Sequence, residues 1–222
     1  MASTGLVLLQ LLLLVSLVSA SHFFGGSSTF TYKGRNPDGT FRVVIRNRET
    51  FDSWGSLYWS CYSGNCGYTS YSSPRTMIDS STNSPQYNRQ WSEFETVETR
   101  NLYSDTPFEM GAASCCWVYN RYYGWDWRLK TLVDLGIRSD THQPNRSPEI
   151  AILPVMRVPE NCPRTYRLPS FDPDGDRVRC RYGTISYVEC ASCIQPSGFH
   201  LDQDTCTLHY YYNRCKSCSY CI

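Results

Sequence analysis

Twelve cysteines in a chain of 222 residues, all of them downstream of residue 60, constrain this sequence more than any other feature. They follow an apolar N-terminal run, Leu6 to Val18, that ends in the small residues of Val18-Ser19-Ala20. The run has the length of a secretory h-region and is too short to cross ~30 Å of hydrocarbon, although no Lys or Arg precedes it. Residues 1–20 therefore read as a signal peptide, cleaved after Ala20. No later segment has the ~18 consecutive apolar residues of a membrane span. An even number of cysteines in an exported chain reads as a set of disulfides. The expectation is a secreted, extracellular protein with no transmembrane segment in the mature chain, braced by bonds of roughly 2–4 kcal/mol each.

Composition narrows the classes. Lys and Arg number 21 against 20 Asp and Glu, a net charge of +1, which argues against nucleic acid as a partner. Apolar residues make up 41% and aromatics 14%, with 17 tyrosines, enough to build a core. The apolar pattern has period two from end to end, so the chain is expected to be all-β. Thr29 to Lys33 alternates and meets Asn36-Pro37-Asp38-Gly39, where Pro presets one turn position and Gly accepts positive φ at another. Phe41, Val43 and Ile45 then alternate with Arg42, Val44, Arg46 and Arg48, the second arm of a hairpin. From Trp127 to Arg138, Trp127, Leu129, Thr131, Val133, Leu135 and Ile137 share one face of a strand. The Ser/Tyr/Asn-rich stretch from Tyr68 to Asn88 reads as a long loop.

Ser139 to Ser147 is polar, rich in turn residues and without apolar period, so it marks a boundary. The sequence then divides into a first β domain over 21–138, a linker over 139–147, a second domain over 148–212 and a cysteine-rich tail over 213–222. Both domains are read as β-sandwich-like units. In the second, strands are expected over Glu149 to Val158 (interrupted at Pro154), Arg177 to Tyr182 and Cys206 to Tyr212. Cys61, Cys66, Cys115 and Cys116 can close within the first unit. Cys162, Cys180, Cys190, Cys193 and Cys206 lie in the second, and the tail adds Cys215, Cys218 and Cys221. Spacing does not choose among the pairings. Cys115 and Cys116, as strand neighbours, point to opposite faces and are expected to reach different partners.

Several constellations could carry chemistry. Asp172-Pro173-Asp174-Gly175-Asp176 places three carboxylates around a Gly turn, hard oxygens of the kind Ca²⁺ prefers. The competing reading is an acidic β-turn whose carboxylates bond locally. The tail spacing Cys215-x-x-Cys218-x-x-Cys221, with His209 or Cys206 nearby, could hold zinc, though an oxidising compartment favours disulfides. Arg42, Arg46 and Arg48 form one stripe and Arg177, Arg179 and Arg181 another; such rows suit sulfate or carboxylate, or are simply the solvated side of a strand. Tyr122, Tyr123 and Trp125 fall at a loop tip and are candidate ligand-binding residues. Asn145-Arg146-Ser147 is a glycosylation acceptor at Asn145. His22, His142, His200 and His209 are scattered, and no nucleophile-base motif is present, so no catalytic residue is assigned.

Val158-Pro159-Glu160-Asn161 followed by Asp172 to Asp176 resembles the opening half of a cadherin-like repeat. That resemblance implies Glu160, Asp172, Asp174 and Asp176 as calcium ligands, while the Asp-Arg-Glu turn and Asp-rich linker of such repeats are absent. More broadly, Asn161-Cys162-Pro163, Asp172 to Asp176, Arg179-Cys180-Arg181, Glu189-Cys190, Cys193 and Cys206-Thr207-Leu208 resemble a module of poorly characterised extracellular proteins of fish and some invertebrates. The first unit, from His22-Phe23-Phe24-Gly25-Gly26 through Asn36 to Gly39 to Trp59-Ser60-Cys61, resembles the segment preceding that module. Those relatives continue past the Cys206 strand, so the resemblance implies that this chain is a shortened product. The expected function is a non-enzymatic recognition or adhesion module for an extracellular protein or matrix partner, with calcium as its one suggested cofactor. A lectin-like glycan binder is the alternative, and a secreted hydrolase a third class.

Overall fold

In a computed structural model the described residues are 22–52, 55–82, 90–118, 126–151, 156, 158 and 162–211. They form strands and connections, with no helix among them. The strands are β1 (Phe23–Arg35), β2 (Phe41–Phe51), β3 (Ser60–Ser63), β4 (Tyr68–Ser72), β5 (Thr76–Thr82), β6 (Gln90–Leu102), β7 (Phe108–Cys115), β8 (Asp126–Val133), β9 (Glu149–Ile150), β10 (Arg164–Arg167), β11 (Ser170–Phe171), β12 (Phe199–Asp202) and β13 (Thr207–Tyr210). A five-stranded sheet runs β1-β2-β6-β4, with β5 also on β6. A three-stranded sheet runs β3-β7-β8, another runs β10-β13-β12, and β9 pairs with β11. All of these pairings are antiparallel.

The β1–β2 hairpin follows from its turn chemistry. Gly39 has φ +86°, its N–H bonds Asn36 O at 2.9 Å, and Asn36 N–H bonds Thr40 O at 2.8 Å. Asp38 Oδ1 accepts from the Thr40 N–H at 2.9 Å and from its hydroxyl at 2.6 Å, closing the turn with a side chain. β2 then pairs with β6 without interruption from Phe41↔Leu102 to Phe51↔Ser92. With the register fixed, alternation sends Phe41, Val43 and Ile45 to one face, where they meet Phe30, Leu102, Phe108, Met110 and Val133 from the five-stranded and the β3-β7-β8 sheets. Burying a side chain of this size contributes roughly 1.5–3 kcal/mol. A second cluster gathers Phe23, Phe51, Ala112 and Trp127.

Four expectations about the strands need correction. The stretch from Tyr68 is not one long loop, because β4 and β5 both pair with β6 before residues 83–89, which lie outside the described residues. The side chains of Tyr68–Ser72 and of residues 76–80 are all exposed, so these strands carry no apolar period that a sequence could show. Arg177 to Tyr182 is not a strand. Arg177 and Arg179 both reach Asp204 (3.3 and 3.0 Å) and Arg181 reaches Glu189, so the alternation reflects ion pairing on a coil. The opening strand of the second unit is described only as Glu149–Ile150, and much of 152–161 lies outside the described residues. Finally, β8 ends at Val133 rather than at Arg138, where Asp134 Oδ1 accepts the Gly136 N–H at 2.9 Å and turns the chain.

Disulfides join Cys61 to Cys66, Cys180 to Cys206, Cys190 to Cys193, and Cys115 to Cys116. Cys162 is buried and disulfide-bonded as well. The adjacent pair overturns the expectation that Cys115 and Cys116 reach different partners. Only Cys115 belongs to β7; Cys116 has φ +77°, so strand alternation stops between them. Cys206, bonded to Cys180, is likewise no ligand for the tail. Cys215, Cys218 and Cys221 lie outside the described residues.

Candidate functional site

The part of the surface most organised for contact is the outer face of the five-stranded sheet near its β4 edge. On β2 and β6 the residues opposite the core are Arg42, Val44, Arg46 and Arg48, paired with Asn101, Thr99, Val97 and Glu95. Tyr68 stands opposite Asn101, and Tyr71 stands opposite Thr99. Two residues on β6 thus face three on β4, with Ser70 as the extra one, a bulge that brings two tyrosines three positions apart onto one face. Gly67 makes this possible. Its φ is +61°, and a Cβ there would lie 2.1 Å from Asn101 O.

A polar network fixes the first tyrosine. Asn101 Nδ2 donates to Tyr68 Oη at 3.0 Å, Asn36 Nδ2 donates to Asn101 Oδ1 at 2.9 Å, and Asn36 also donates to Thr40 Oγ1 at 2.9 Å. The hairpin turn and the tyrosine are therefore one unit. Tyr103, just beyond β6, packs against Tyr68 with ring centroids 6.0 Å apart. All three rings still present area to solvent: Tyr68 is 42%, Tyr71 56% and Tyr103 67% exposed. Arg42, whose guanidinium donates to Lys33 O at 3.0 Å, borders them on the same face. The other end of the face differs. Arg46 and Arg48 both pair with Glu95 (3.5 and 3.0 Å), and with Ile150 and Phe171 they line a small cavity of about 150 Å³. The arginine stripe is thus paired at one end and open at Arg42.

The edge is locked from beneath. Between β4 and β5, Arg75 turns inward, stacks over Phe94 at 3.3 Å from the ring centroid, and ion-pairs with the buried Glu49. Glu49 also accepts the Leu57 N–H at 2.9 Å. Burial pushes its carboxyl above the usual range, against the pull of Arg75.

The carboxylates of the acidic turn are engaged by neighbouring groups of the protein. Asp172 Oδ1 accepts the Asp174 N–H at 2.8 Å. Asp174 takes the Arg146 N–H at 2.7 Å and its Nε–H at 2.6 Å, and Arg146 also reaches Pro173 O at 2.6 Å. Asp176 takes both terminal nitrogens of Arg138, which also grips Asp140. These bonds hold the Asp176 and Asp140 carboxyls below their ordinary range and raise the Arg138 guanidinium further. The acidic turn is therefore latched by two arginines, Arg138 just before the polar stretch 139–147 and Arg146 within it. No group of three or more His, Cys, Asp or Glu among the described residues is arranged to hold a metal ion. Asn145 is half-buried, its Oδ1 accepting from Arg138 at 3.5 Å. Tyr122, Tyr123, Trp125 and Glu160 lie outside the described residues. Beside them in sequence, Trp117 and Trp127 line a cleft of about 450 Å³ with Asp126, Tyr182, Ile194 and the Cys190–Cys193 loop.

The sequence reading missed the tyrosine face. Its signal was compositional: Tyr58 to Ser73 interleaves Tyr with Ser, Gly and Asn, the mixture that antibody loops use for contact. No family model, curated protein or solved structure matches the chain. Among the described residues no helix is long and apolar enough to cross a membrane.

Proposed function

We propose that the protein is a secreted extracellular recognition module that acts by binding a protein or matrix partner, without catalysis, through the tyrosine-edged face. The observation that carries this reading is the placement of Tyr68, Tyr71 and Tyr103, 42–67% exposed, beside Arg42, with Tyr68 and Tyr71 set by a bulge and a glycine and Tyr68 held by a hydrogen-bond network. Rigid aromatics with little rotamer entropy to lose, next to Arg, are the residue types that dominate binding energy at protein interfaces. Their number on the solvent face of a sheet fits a contact surface better than a core that failed to close. The resemblance to extracellular proteins of fish agrees with this setting. Calcium enters the reading as a competitor of Arg138 and Arg146 for the acidic turn.

The test is retention of the labelled, secreted chain on surfaces coated with extracellular-matrix protein, beside a glycan array. Replacing Tyr68, Tyr71 and Tyr103 with Ala should weaken retention on matrix protein by about 30-fold or more, while loss of the Asn101–Tyr68 bond lowers the melting temperature by only a few degrees and leaves the chain folded. Equal retention by the triple variant overturns the assignment of the face. The aromatic cleft of Trp117, Trp127 and Tyr182 supports a second, lectin-like reading. Retention on glycans that survives the triple substitution and falls with Tyr182→Ala would favour it.

A further inference from the structure

The Cys115–Cys116 bond stands apart from the other disulfides. A crosslink stabilises chiefly by closing a loop in the unfolded chain, and the effect grows with loop length. Cys180–Cys206 spans 26 residues, whereas Cys115–Cys116 joins neighbours and encloses one peptide unit. It therefore does little for global stability, and its effect is local. Cys116 has φ +77°, a left-handed conformation that residues with a Cβ rarely adopt. That residue turns the chain out of β7 and across to the start of β1. Cys116 O accepts the Phe23 N–H at 2.9 Å, Val118 N–H bonds Phe23 O at 2.9 Å, and Trp117 bridges Phe23 in parallel. Cys115 O accepts the Trp127 indole N–H at 2.8 Å. Phe23 is fully buried, its ring 4.2 Å from that of Trp127, 5.2 Å from Phe51 and 5.4 Å from Trp117. Yet Cys115 itself is exposed. A disulfide between an exposed and a half-buried cysteine thus holds the backbone turn on which an interior aromatic cluster depends.

We propose that Cys115–Cys116 is a thiol–disulfide exchange site for low-molecular-weight thiols, and that its reduction releases the Phe23–Trp117–Trp127 cluster. A thiolate from solvent attacks Sγ of the exposed Cys115, the Cys115–Cys116 bond breaks, and Cys116 departs as a thiolate that takes a proton from water. A second thiolate attacks the external sulfur of the mixed disulfide, freeing Cys115, which is protonated in turn. Two thiols are oxidised to one external disulfide as the pair gains two electrons and two protons. With the ring open, Cys116 returns to negative φ, its carbonyl leaves the Phe23 N–H, and Trp117 loses its bridge. Because Trp117 and Trp127 also line the aromatic cleft, the exchange alters that cleft's wall.

The experiment is graded reduction of the full secreted chain with dithiothreitol or glutathione in native buffer. Free thiols are trapped with an alkylating agent, located by peptide mass, and followed alongside tryptophan emission. Cys115 and Cys116 should be labelled at a reductant concentration at least about tenfold lower than any other pair, with a red shift in emission. Labelling of Cys61–Cys66, Cys190–Cys193 or Cys180–Cys206 first, or of all pairs together, overturns the exchange site. Two double variants test the release. Cys115→Ser/Cys116→Ser should show the red-shifted emission without reductant, whereas Cys115→Ser/Cys116→Gly should keep the oxidised emission, because Gly accepts positive φ freely. Identical emission from the two variants overturns the release.

Discussion

Arg75 shows how much of the edge rests on one side chain. It lies between β4 and β5, ion-pairs with Glu49 and donates to Gly55 O while its guanidinium covers Phe94. Arg75→Met should keep the packing on the ring but leave a buried carboxylate without its cation, costing about 3–5 kcal/mol. Adding Glu49→Gln should recover a large part of that loss, and urea unfolding of the single and double variants measures both. A related sign holds in the native protein. The Glu49 pKa is raised by burial, so the stability tied to its protonated form is fully present below the usual Glu range and is lost as pH rises through the raised value. None of this was legible in the sequence, where Arg75 stands between Pro74 and Thr76 with no pattern to say that it points inward. The cysteine pair misleads for a comparable reason. Alternation holds only between residues of one strand, and Cys116 has left it.

At the level of elements, those with a clear period and a turn of known chemistry were readable. The Asn36–Gly39 hairpin and the Trp127–Val133 face emerge as expected because Gly39 and the alternating apolar residues each permit few alternatives. β4 and β5 were hidden because an edge strand exposed on nearly all its side chains has no period to display. Arg177 to Tyr182 imitates a strand in the sequence, since alternating arginines look like a strand's solvent face until their carboxylates, Asp204 and Glu189, are located. Glu189 takes two bonds from Arg181 and the backbone N–H groups of Thr184 and Ile185. The Arg181 bonds, then that of Thr184, pull its carboxyl down to about 2. A depressed folded pKa means that the 181–189 loop is held fully above the usual Glu value of about 4.5 and released as pH falls from there toward 2. Amide exchange at Thr184 and Ile185 should lose protection over that window, and Glu189→Gln should lose it at neutral pH.

Across the whole molecule, the polar stretch 139–147 was readable as a boundary but not as a fastening. Arg138 and Arg146 carry it onto the Asp172–Asp176 turn, a pairing between residues 27 to 38 positions apart that no local motif announces. Arg138→Gln with Arg146→Gln should lower the melting temperature by a few degrees and speed protease cleavage within 139–147. The same substitutions free the turn's carboxylates, so calcium should raise the melting temperature of the variant by more than that of the parent. A shift equal in both would place any calcium elsewhere.

The extra residue at Ser70 has a consequence for how this surface could change over generations. Tyr68 and Tyr71 share a side only because the bulge absorbs Ser70; at a spacing of three a regular strand would put them on opposite sides. Gain of a single codon there, with the bulge kept, would turn one ring toward the opposite side of the sheet, with every tyrosine still in place. A recognition face of this kind can be rewritten by length alone, so its descendants would differ first in spacing and only later in composition.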